Sequence, residues 1–107
     1  MTAVELNREQ FLNYLNEGRT VLVDYWAPWC GYCRRIAPAY EKIAEEYGEE
    51  VVIAKVNIDN EPLLAQQESI EVIPTLVLYK QGRAVDFVVA PESKAAIETF
   101  LKQGLEK

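Results

Sequence analysis

Apolar residues follow two rhythms along the chain, one of helical period and one of continuous short runs. From Asn7 to Glu17, Phe11, Leu12 and Leu15 recur on one helical face, and Asn7 with Gln10 fits a capping box, so a first helix is expected there. The next run, "TVLVDYWA", is β-branched and aromatic and too apolar for a half-exposed strand; it predicts a central strand covered on both faces. From Gly31 to Tyr47, Ile36, Tyr40, Ile43, Ala44 and Tyr47 form a helical stripe, with Gly48 as its stop. "VVIAKVNI" predicts a second buried strand, after which Asn60 as N-cap and Pro62 open a short helix to about Gln67. "TLVLYK" and "AVDFVV" flank Gln81, Gly82 and Arg83 and predict an antiparallel hairpin. A last helix after Pro91 turns Ala96, Ile97, Phe100, Leu101 and Leu105 inward. Strands alternating with helices and closing on a hairpin predict an α/β fold, a mixed sheet with helices on both faces.

Composition narrows what such a fold does. The chain has 107 residues, 50% of them hydrophobic, which suits one domain over residues 1–107. Seventeen acidic against eleven basic residues give a formal net charge of −6, which repels phosphate backbones and anionic lipid, so neither nucleic acid nor membrane is an expected partner. The opening "MTAVELNREQF" lacks a basic segment followed by an apolar stretch, and no run approaches the ~20 apolar residues of a membrane span. A cytoplasmic monomer is the expectation.

The chain holds two cysteines, Cys30 and Cys33, within one helical turn of each other in "WAPWCGYCRR", and no histidine. A bridge between them closes too small a loop to restrain the unfolded chain, so bracing does not explain the pair. Two cysteines without histidine supply half the ligands of a closed zinc site, so no metal is expected, and a Cys-His protease pair is excluded. Thiol chemistry remains. Cys30 stands where the strand ends and the helix begins, against unpaired N–H groups and the positive dipole end, which favours its thiolate and marks it as the nucleophile. Cys33, one turn further in, is the expected resolving thiol for a mixed disulfide at Cys30.

Other residues near the pair invite roles. Asp24 interrupts an apolar strand; buried and ionised it would cost several kcal/mol, so a raised pKa and a role in taking the Cys33 proton are expected, against the plainer reading of an exposed strand position. Lys55, in the neighbouring strand, is its natural counter-charge, or a plain edge lysine. Arg34 and Arg35 are expected to be solvated. Trp26 and Trp29 flank the cysteines, Trp29 being the candidate for partner contact. Pro38 falls in the second turn of its helix, where it is expected either to kink the helix and aim its first turn or to be tolerated without a role.

The segments "VLVDYWAPWCGYC", "IAP", "KVNID" and "IPTL" stand in the order and spacing of the thioredoxin family, which the chain resembles over nearly its whole length. The resemblance implies a thioredoxin fold, a central mixed sheet of about five strands flanked by four helices. It implies a redox-active Cys30–Cys33 disulfide, no bound cofactor, disulfide-containing client proteins and an external thioredoxin reductase. Asp24, Lys55, Trp26, Trp29, Cys30, Gly31, Cys33 and Pro74 match motif positions. Pro74, an ordinary strand-entry proline on its own, is implied to be cis and to lie against the dithiol. A client groove is implied around Trp29, Gly31, Tyr32, Ile73, Pro74 and Ala90, with Trp26 and Pro38 in support.

Departures from the family pattern concern the partner surface. Tyr32 replaces the proline of Cys-Gly-Pro-Cys, which frees φ, restores an N–H in the first turn and predicts a weaker reductant. Cys-Pro-Tyr-Cys of glutaredoxins shares that tyrosine, but the Trp-Cys-Gly context and Asp24 do not fit that family. Ala90-Pro91 stands where Gly-Ala is usual, and Glu71 and Val72 precede Ile73, so a narrowed and more acidic groove is expected. The leading reading is a protein dithiol–disulfide oxidoreductase. Its rivals are an isomerase or oxidase-like member of the fold, a binding subunit that does not use its thiols, and a metal cluster bridging two chains.

Overall fold

The computed structural model describes residues 2–107. Among these the chain runs β1 (Val4–Glu5), α1 (Arg8–Asn16), β2 (Val21–Trp26), α2 (Gly31–Tyr47), β3 (Val52–Asn57), α3 (Pro62–Gln67), β4 (Thr75–Lys80), β5 (Arg83–Val89) and α4 (Lys94–Leu105). The strands form one mixed sheet in the order β1-β3-β2-β4-β5. β3 is parallel to β1 and β2, while β4 is antiparallel to β2 and β5. This is the thioredoxin fold that the resemblance implied.

Alternation along β2 explains how the sheet holds two cores. Leu22 faces one side with Leu76 and Leu78, where α2 and α4 contribute Ile36, Tyr40, Ile43, Ile97, Phe100 and Leu101. Val21, Val23 and Tyr25 face the other side with Val77 and Tyr79, where α1 and α3 contribute Phe11 and Leu64. The central strands are therefore apolar on both faces, which is why their sequences read as continuous runs. Gly104 lets α4 lie directly on β4, since a Cβ there would run into the Leu78 side chain.

Several boundaries depart from the sequence reading. β1 was not expected: two exposed residues carry no periodic signal, and pairing with β3 alone makes them a strand. Asn60 does not cap α3. Glu61 holds that position without a side-chain bond, while Asn57 folds the preceding turn by accepting from the Asp59 amide at 2.9 Å through its side chain and from the Asn60 amide at 3.1 Å through its carbonyl. The hairpin loop is two residues long, because Arg83 already pairs with Lys80; Gln81 and Gly82 both take positive φ, 52° and 84°, as the right-handed twist of the flanking strands requires. α2 runs through Pro38 as one helix from Gly31 to Tyr47. Helical cover on the α1/α3 side stops short of β5, leaving Phe87 and Val89 exposed.

Candidate functional site

β2 ends at Trp26, and the short turn after it delivers Cys30 to the N-cap of α2. Cys30 and Cys33 are joined as a disulfide across the first helical turn. The Cys30 Sγ accepts the Cys33 amide at 3.2 Å, so this sulfur takes the place of a capping oxygen for one of the free N–H groups of the helix start. Cys30 is half-buried and Cys33 is buried, so one sulfur is reachable from solvent and the other is covered. Arg34 is exposed, yet it is not simply solvated: its Nη1 donates to the Pro28 carbonyl at 2.7 Å and ties the helix to the turn that presents Cys30. Arg35 lies with its guanidinium 5.9 Å from the centre of the Tyr32 ring.

Three chain segments converge on the disulfide. The Ile73–Pro74 peptide bond is cis, and the Ile73 carbonyl oxygen lies 3.9 Å from the Cys30 Sγ. The Pro74 carbonyl accepts the Ala90 amide at 2.9 Å, and the Pro91 carbonyl accepts the Tyr32 hydroxyl at 3.1 Å. The active-site turn, the Pro74 loop and the β5–α4 connection are thereby linked by Tyr32, Pro91, Ala90 and Pro74. Ala90 holds φ at 47°, in the region an L side chain enters at a cost of about 1–2 kcal/mol. That strain sits where Gly-Ala is the commoner pair.

On the same side of the sheet as Leu22, which α2 covers, Asp24 is 1% exposed, and its Oδ1 is, among the described residues, the buried side-chain oxygen without a hydrogen-bond partner. Loss of water pushes its pKa up from 3.8 to about 7; Lys55 opposes that shift and Glu5 adds to it. Lys55 faces Asp24 across the β2–β3 pair, but it forms no ion pair with it: its Nζ lies over the Trp26 ring, 4.2 Å from the centroid. The counter-charge expected from sequence is thus a distant field, too weak to outweigh desolvation.

Trp29 is 66% exposed, and its indole N–H is held by the Asp59 carboxylate at 3.1 Å, so an apolar face stands fixed beside Cys30. Trp26 is half-buried and donates to Glu5 at 3.1 Å, and the same carboxylate accepts the Asn57 amide at 2.9 Å. Sequence reasoning missed Glu5 and Asp59. Asp59 lies inside the quoted "KVNID", but Glu5 has no local signal, because only β1 pairing brings it to β2. Gly31 is exposed at the first position of α2 and Pro38 is exposed on its outer face. Among the described residues no group of His, Cys, Asp and Glu is arranged to hold a metal.

Comparison with known proteins agrees with this geometry. The family model described as Thioredoxin matches residues 2–103. The chain is 48% identical to "Thioredoxin 1" of Nostoc sp. over 87 residues, covering 81% of this chain and 78% of the relative. It is 42% identical to "Thioredoxin" of Porphyra purpurea over 89 residues, 83% of each, and 39% identical to "Thioredoxin" of Alicyclobacillus acidocaldarius over 106 residues, 99% of this chain and 98% of the relative.

Proposed function

The chain belongs to the thioredoxin family and is a protein-disulfide reductase, with the Cys30–Cys33 pair as its redox group; on that premise we propose the following roles for its residues. Cys30, reachable and at the positive end of α2, attacks one sulfur of a client disulfide as a thiolate; the other client sulfur leaves as a thiolate, and a mixed disulfide remains. Cys33, covered and one turn further in, then attacks the Cys30 sulfur. Its proton goes to Asp24, whose affinity for a proton near neutrality suits it to accept one there and release it later. The client leaves with both its sulfurs reduced, and a reductase returns two electrons to the Cys30–Cys33 disulfide.

Trp29, Gly31, Tyr32, Ile73, Pro74 and Ala90 form the client-facing surface in this reading. It is supported by the convergence of their segments around the disulfide and by the fixed Trp29 face. Lys55, Trp26 and Pro38 act through others: Lys55 biases Asp24, Trp26 carries Lys55, and Pro38 shapes α2. Tyr32 in place of the usual proline favours the reduced form and makes this chain a weaker reductant; equilibration with glutathione is expected to give a potential above that of a Cys-Gly-Pro-Cys relative. The whole of residues 1–107 acts as one domain. A monomer is favoured by the self-repulsion of a chain carrying −6, which also disfavours nucleic acid and anionic membrane. A cytoplasmic setting suits a reductant that must keep its thiols reduced. No described helix is long and apolar enough to cross a membrane.

The observation that carries the reading is a helix-capping, accessible Cys30 bonded to a buried Cys33. The test is reduction of insulin disulfides with dithiothreitol as electron donor. Cys30→Ser abolishes catalysis, and Cys33→Ser accumulates a covalent client adduct. Catalysis surviving the loss of Cys30 overturns the reading.

A further inference from the structure

Among the described residues, three exposed large apolar side chains gather on the α1/α3 side of β5: Val72 at 53%, Phe87 at 65% and Val89 at 45% exposure. Together with Ile70, Glu68 and Glu71 they line an open groove of about 630 Å³ between the α3–β4 loop and β5. A surface phenylalanine flanked by two valines is the kind of patch that marks a contact site. The groove borders the segments that surround the disulfide: Val72 precedes Ile73, Thr75 follows Pro74, and Val89 precedes Ala90, whose amide is bound to the Pro74 carbonyl. A client segment that passes Pro74 has these residues as its next neighbours along both chain segments.

Two features say what fits. Glu68 and Glu71 place carboxylates on the loop side. Glu71 makes no bond with the described residues, and Glu68 accepts only from the Tyr79 hydroxyl and the Gln67 amide, so neither charge is neutralised by a cation. The Phe87 amide is already taken by the Asp86 carboxylate at 2.8 Å, which blunts β5 against addition of a further strand. An occupant is thus held by side chains, apolar against Phe87 and the valines and cationic against the glutamates. A second copy of this chain would set two acidic rims and two charges of −6 against each other.

We propose that this groove is a client-specificity subsite, taking an extended segment beside the client's cysteine that carries a large apolar residue flanked by Lys or Arg. The proposal deepens the oxidoreductase reading and rests on it. It is tested with three oxidised peptides sharing the same disulfide: one without extension, one extended by an apolar-lysine segment, one by an apolar-glutamate segment. The chain is expected to reduce the lysine peptide with a kcat/KM about tenfold above the glutamate peptide. Phe87→Ser brings both extended peptides to the level of the unextended one, Glu71→Lys reverses the lysine–glutamate preference, and the unextended peptide keeps its rate in both variants. Equal rates for all three peptides, or variants that slow the unextended peptide equally, overturn the subsite. So does self-association in sedimentation that Phe87→Ser abolishes, which would assign the groove to a second copy. Failure to reduce even the unextended peptide strikes instead at the oxidoreductase reading and takes the subsite with it.

Discussion

Asp24 and Tyr25 are consecutive on β2, both are buried, and their polar atoms meet opposite fates on the two faces of the sheet. On the α1/α3 face the Tyr25 hydroxyl is 2.7 Å from that of Tyr79, which in turn donates to Glu68 at 2.8 Å, so a chain of hydroxyls ends on a carboxylate at the surface. Burial holds both phenols well above their ordinary pKa and keeps them neutral. On the α2 face Asp24 has burial without satisfaction: an oxygen with no partner, and a proton bound up to about pH 7. A satisfied buried network contributes to stability, whereas a buried acid whose oxygen has no partner among the described residues carries a cost and marks a candidate for chemistry.

The contrast is broken most strongly at Asp24. Between pH 3.8 and about 7 the folded chain holds a proton that the unfolded chain releases, so stability falls as pH rises through that window. Once ionised, Asp24 costs the fold about 4 kcal/mol by the linkage of pKa to stability. Asp24→Asn keeps the shape but cannot ionise, and part of the gain is offset by its unpaired amide. In urea unfolding of the oxidised protein it is expected to stabilise by about 2–3 kcal/mol at pH 8 and by nothing comparable at pH 3, while insulin reduction slows about tenfold or more.

Tyr79→Phe probes the other face. It strands the Tyr25 hydroxyl and removes one of the two donors to the Glu68 carboxylate, and is expected to destabilise by about 1–2 kcal/mol at every pH from 4 to 8, with insulin reduction within about twofold of the parent. Opposite signs for the two substitutions would sharpen the comparison; the same sign would dissolve it.

Strain offers a finer probe. Ser69 and Gln81 take positive φ at a helix end and in a tight hairpin, where the turn demands it, but Ala90 does so beside the disulfide. Ala90→Gly is expected to raise stability by about 0.5–1 kcal/mol, since glycine enters that region freely but also loosens the unfolded chain. Thermal unfolding measures it. The smallest effect is expected at Tyr32→Phe, which removes one partly buried hydrogen bond to Pro91 and costs about 0.5 kcal/mol. Reduction of protein disulfides then slows a few-fold, while that of a small disulfide is unchanged.

The elements with a dense apolar signal were legible in the sequence within a residue or two: α1 with its Asn7–Gln10 capping box, β2, α2, β3 and the β4–β5 hairpin. β1 was not, because two exposed residues have no period. The Asn60 cap failed because Asn57 folds residues 59 to 61 into a turn by accepting their amides, and the helix starts one residue later with Glu61 in the cap position. At the site, Cys30 and Cys33 and the oddity of an acid in an apolar strand were visible in a single line of text. The hold of Arg34 on Pro28, of Asp59 on Trp29 and of Glu5 on Trp26 was not, since each depends on how separate segments come together.

Sequence by itself determined the local terms: helix and strand periods, the cysteine spacing within one turn, the absence of histidine and the charge of −6. These are legible because they depend on residues close along the chain. Tertiary structure alone decided that the Lys55 Nζ lies over Trp26 and acts on Asp24 only through its field, that Tyr25 finds Tyr79 while the Asp24 Oδ1 finds no hydrogen-bond partner among the described residues, and that β5 keeps Phe87 uncovered. Desolvation and hydrogen bonding between distant segments set those outcomes, and both depend on what packs around a group rather than on what precedes it.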